Sequence, residues 1–175
     1  MINRVLTVLF PLAQILAWVG MTALLGAMSI TVLDIILRKI GQGGIPGAVD
    51  LVQLTIMWAA FLSIPLGFTR HGHVAVSMVV ERFGIRGQAV SLALSTAAAC
   101  VVMAGIGWFG MDKALQQWTY GDSSLTIGVP MVLYWIPLVV GSTFAALAVF
   151  LMFLGALGAL VSGRPNPLLD ITGKA

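Results

Sequence analysis

Charge is the scarcest commodity in this 175-residue chain: nine Lys and Arg, six Asp and Glu, together 9% of the residues. Soluble domains carry about 25%. Hydrophobic residues make up 59%, and the mean hydropathy is +1.05. No water-soluble fold has enough interior to hide that surplus, so the composition specifies an integral membrane protein. Cysteine is nearly absent too. Cys100 is the only one, which excludes an internal disulfide, cysteine-cluster metal sites and dithiol redox chemistry. It lies in an apolar run and reads as a small buried hydrophobe. Period-2 alternation is missing, which excludes a membrane β-barrel. The net charge of +3 does not signal nucleic acid, because the basic residues are few and sit at the ends of oily runs, where they orient a membrane protein and meet anionic lipid.

What the chain does have is four long runs without charge: Val5–Leu33, Leu51–Thr69, Gly87–Met111 and Ser123–Gly163. A membrane helix needs about 20 mostly apolar residues. The predicted fold is therefore all-α and integral to the membrane. Four transmembrane helices span about 5–37, 50–69, 87–111 and 130–161, in one membrane domain over 1–163 with a short tail at 164–175. The first run is too long for a signal-peptide core, and no small-x-small cleavage site follows it. No internal repeat of the kind that builds many transporters is visible.

Four spans place both termini on one side. That side holds Arg4, Arg70, Arg82, Arg86, Arg164 and Lys174, and the other holds Arg38, Lys39 and Lys113. The bias predicts both termini in the cytoplasm. The stretch "RHGHVAVSMVVERF" (Arg70–Phe83) then lies on the cytoplasmic side, where its apolar residues followed by Glu81, Arg82 and Arg86 suit a short interfacial helix between spans two and three.

Chemistry finds little purchase. His71 and His73 are two apart, so on a helix they point to roughly opposite faces, and zinc wants three or four ligands. No elbow motif frames a nucleophile. Glu81 and Asp34 fall on opposite sides of the membrane and cannot pair in catalysis. No carboxylate sits mid-membrane, whereas ion-coupled carriers usually bury an ionisable group within a span. Gln14 and Gln53 are the main polar span residues, and neither is mid-span. The chain reads as a non-enzyme with no catalytic, metal or substrate site and no cofactor. Asp34 and Arg38 are four apart in "TVLDIILRK", so they share a helix face. They read either as a simple end-of-helix ion pair or as a docking point for a neighbouring subunit. Asp50 opens span two, where a carboxylate complements the helix dipole. Trp58 and Phe61 lie deep in that span and pack internally or against a partner. With His73, Arg82 and Arg86 these are the candidate contacts to partner or lipid.

Taken in order, "DIILR", "IPGAVDL", "WAAFLSIPLG", "HVAV" and "GVPMVLY" with Gly141 after it resemble the small membrane subunit of tripartite ATP-independent periplasmic (TRAP) transporters, the DctQ family. Asp50 stands where that family usually has glutamate, and Ala75 and Ser77 stand where a basic and an acidic residue often follow the histidine. The resemblance implies two partners, a large multi-span membrane subunit and a periplasmic substrate-binding protein. It implies a bracing role in ion-gradient-driven uptake of an organic acid across the bacterial inner membrane, with substrate and ion sites in the large subunit. The competing readings are a membrane oxidoreductase subunit anchoring haem or quinone through His71 and His73, and a self-sufficient homodimeric small exporter.

Overall fold

A computed structural model gives the fold, and it describes residues 2–41, 43–69 and 85–162. Among the described residues four helices follow one another: α1 (Ile2–Lys39), α2 (Ala48–Thr69), α3 (Ile85–Tyr120) and α4 (Val132–Ser162). In hydrocarbon every backbone amide needs an internal partner, so an uninterrupted apolar run can only be helical. All four are long and apolar enough to cross a membrane. Among the described residues the sole β feature is an isolated bridge between Ser123 and Pro130. The interfacial helix expected between spans two and three, and the tail from 164, lie outside the described residues.

α3 continues past Met111, where the apolar run ends, to Tyr120. Its last turns are polar but remain helical through a side-chain ladder. Lys113 Nζ donates to Gln116 Oε1 at 3.0 Å, and Gln116 Nε2 donates to Asp112 Oδ2 at 3.0 Å. Pairs three and four apart support a helix that has left the oil. α1 has 38 residues and α3 has 36. At about 1.5 Å per residue both exceed the roughly 30 Å hydrocarbon core, so they tilt or project beyond it.

The helices pack mainly as α1 on α2, α2 on α4 and α4 on α3. They form a row, with α2 and α4 running parallel in the middle and α1 and α3 at the edges. α4 is the most enclosed. Leu138, Ser142, Ala145, Val149, Met152 and Ala156 are buried along it, alternating four and three apart. This is the 3.5-residue seam of a left-handed helix pair.

Lipid tails are as apolar as leucine, so close packing rather than water exclusion holds such a row together. Glycine permits it at each contact. A Cβ at Gly20 of α1 would meet Ser63 Oγ of α2 at 2.8 Å and the Ala59 carbonyl at 3.0 Å. One at Gly141 of α4 would strike the Phe61 carbonyl of α2, and one at Gly110 of α3 would strike Leu138 of α4. The buried hydroxyls are met locally: Thr96 bonds the Leu92 carbonyl at 2.6 Å, and Ser142 the Val139 carbonyl at 3.2 Å.

Candidate docking site at the end opposite the termini

The α1–α2 and α3–α4 connections meet at one end of the row, and most of the polar side chains with long-range partners gather there. α1 ends in Arg38 and Lys39. The chain then turns through Gly41 and Gly43, both with left-handed φ (77° and 75°). Arg38 Nε donates to Asp34 Oδ2 at 2.8 Å, as the four-residue spacing predicts. Asp34 does more than pair, because its Oδ1 accepts the Ile45 amide at 2.7 Å. It therefore ties the last turn of α1 to the chain entering α2. Gly44 lies close against the Asp34 and Arg38 side chains, leaving no room there for a Cβ. Arg38 remains largely exposed (61%), whereas the Asp34 side chain is mostly covered (15%).

The second connection is a compact turn. Ser124 N donates to the Val129 carbonyl at 2.8 Å, Gly128 N to the Ser124 carbonyl at 3.2 Å, and Met131 N to the Asp122 carbonyl at 2.9 Å. Left-handed Gly121 and Gly128 (φ 68° each) close it at either end. This turn is fastened to α2. Asp50 Oδ2 accepts the Thr126 amide at 3.3 Å, and Tyr134 of α4 donates its hydroxyl to the Asp50 carbonyl at 3.0 Å. Ile127 presses on Gly47, whose φ of 72° also demands glycine. Tyr134 is 7% exposed, so most of its ring is enclosed around this bond. Tyr134→Phe is expected to lower stability by about 1 kcal/mol, read as a fall in melting temperature in detergent, with the α2–α4 contact lower down unchanged.

The structure divides the sequence-predicted residues into three groups. Asp34, Arg38 and Asp50 come together at this end. Trp58 and Phe61 lie half-buried near the middle of α2, where the Phe61 backbone supports Gly141. Arg86 opens α3, but its side chain, like His71, His73 and Arg82, lies outside the described residues. Asp50 does sit in the first turn of α2, as the dipole argument expects. Its bond to Thr126, 76 positions away, was not legible, and neither was the part played by Tyr134. No local signal marks such a long-range partner.

Beside this cluster, between α1 and α2, runs a groove of about 420 Å³. Thr31 and Asp34 line it from α1, and Val49, Val52, Gln53 and Ile56 from α2. Its wall is overwhelmingly apolar. Its one carboxylate and the Thr31 hydroxyl are both already bonded within the chain. Such a surface suits packing against another apolar body.

The model of the DctQ component of tripartite ATP-independent periplasmic transporters matches residues 27–159, from the last third of α1 through nearly all of α4. The chain belongs to the DctQ family. No curated protein and no solved structure matches it. The family match covers both fastened connections, the groove and the Gly141 contact. These features therefore lie within the matched region. This DctQ-family chain is accordingly a multi-pass membrane component of a transporter.

Proposed function

We propose that this chain is the small subunit that braces the large multi-span subunit of a TRAP-type secondary transporter. The assembled pair, served by a periplasmic substrate-binding protein, takes up an organic acid at the expense of an ion gradient. Its place is the bacterial inner membrane, with both termini cytoplasmic. The observation that carries this reading is the DctQ match over residues 27–159. Two physical features support it. The described spans hold no acidic or basic side chain at mid-membrane; Asp34 and Asp50 stand at helix ends, already committed to bonds within the chain. The row of helices also leaves its edges uncovered, with Trp18, Leu25 and Met28 of α1 and Val101, Trp108 and Phe109 of α3 more than half exposed. A broad, internally fastened slab without a coupling site is a brace, and the ion and solute sites belong to its partner.

Reconstitution tests the reading. Liposomes holding the large subunit and supplied with loaded binding protein are expected to accumulate solute only when this chain is present. Uptake by this chain alone, or by the large subunit alone at full rate, would contradict it. Within the reading, exposed Arg38 is a contact to partner carbonyls or lipid phosphates. Arg38→Ala is expected to reduce the large subunit retained on purification by at least about fivefold, while the melting temperature of the isolated chain barely moves. Undiminished retention would leave Arg38 as no more than the ion-pair partner of Asp34.

A further inference from the structure

The groove between α1 and α2 has one feature that lipid does not explain. Gln53 is exposed on its rim and forms no hydrogen bond with any described residue. It lies within the membrane-spanning segment Ala48–Thr69, five residues in, or about 7.5 Å along the axis. The other polar groups at the groove are satisfied. Thr31 donates to the Ala27 carbonyl at 2.8 Å, and Asp34 accepts from Arg38 and Ile45. Acyl chains offer an amide neither donor nor acceptor, so an unpaired amide facing them is costly. A helix laid in the groove meets that need, because side-chain hydrogen bonds between helices are a recurring adhesive in membranes.

The surroundings fit a helix as occupant. Val49 and Ile56 flank Gln53 and are 72% and 47% exposed, which supplies apolar contact on either side of the amide. Further along the same face of α2, Ala60 and Gly67 are exposed as well, and Gly67 has open space where a Cβ would stand. Gln53, Ala60 and Gly67 recur every seven residues, the repeat along which a left-handed partner helix tracks. Arg38 stands exposed at the mouth beside Asp34 and can meet carbonyls at the end of such a helix.

We infer that the α1–α2 groove, with the Gln53 amide as its polar anchor, is where a transmembrane helix of the large subunit docks, offering a hydrogen-bonding side chain at the depth of Gln53. The inference rests on the proposed subunit role and adds the face through which that role is exercised. Its test uses the complex in native membranes. A photo-reactive residue is placed at Val49 or Ile56 in the groove, and at Trp108 on the opposite edge of the row. The large subunit is expected in the adducts from both groove positions, several-fold more abundantly than from Trp108. Gln53→Leu is expected to lower retention of the large subunit about threefold to tenfold without shifting the melting temperature of the isolated chain. If the large subunit co-purifies but the groove positions capture only lipid or a second copy of this chain, the inference falls and the subunit role stands. Unchanged retention of Gln53→Leu complexes would likewise remove the anchor. If no large subunit co-purifies at all, both fall.

Discussion

Gly141→Ala is expected to destabilise the isolated chain by about 2–3 kcal/mol and to lower its melting temperature in detergent accordingly. A methyl group at that position overlaps the Phe61 carbonyl. The obstacle is backbone, so no rotamer change relieves it, and α4 has to move away from α2. Gly105→Ala in α3 is the matched control, since a Cβ there meets nothing within 4 Å. Alanine is the better helix former by roughly 0.5–1 kcal/mol, so the control is expected to hold or gain stability. The opposite signs of two identical substitutions separate contact from propensity. Equal melting temperatures would mean that α2 and α4 do not approach as described.

The second large effect is local. Asp34→Ala removes the acceptor of the Ile45 amide and the partner of Arg38 together. The start of α2 is then no longer tied to the end of α1. Hydrogen exchange at the Ile45 amide is expected to quicken by about tenfold or more, with neighbouring amides of the α1–α2 connection following. Asp34→Asn is expected to recover part of this protection, because an amide oxygen still accepts the Ile45 N–H. Exchange that stays slow in Asp34→Ala would show that the connection is held by packing alone. Loosening at this point also opens the mouth of the α1–α2 groove, so the same variant is expected to retain less of the large subunit.

Much of the fold was legible because oil imposes a simple rule: a long run without charge has to be a helix. Four such runs produce four helices. The rule fails where the oil ends. Met111 closes the third apolar run, but "DKALQQWTY" continues α3 because Asp112, Lys113 and Gln116 bond one another at helical spacing. The Asp34–Arg38 pair was legible for the same reason, as residues four apart on a helix meet. The bonds of Asp50 and Tyr134 were not. They join α2 to the α3–α4 turn across 76 and 84 positions, and nothing in either local stretch names the other. Gly141 belongs to the motif order that resembles DctQ, yet only the packing shows which backbone it accommodates. Gln53 was visible as a polar span residue, but its lack of a partner among the described residues emerges only when the helices are assembled.

Co-purification asks whether this chain stands in the membrane as one partner of a larger permease. The chain carries a tag at its C-terminus, native membranes are extracted in mild detergent, and the captured proteins are identified and counted by mass spectrometry. One large multi-span subunit is expected for each copy of this chain. The chain recovered alone, or only with further copies of itself, would contradict it.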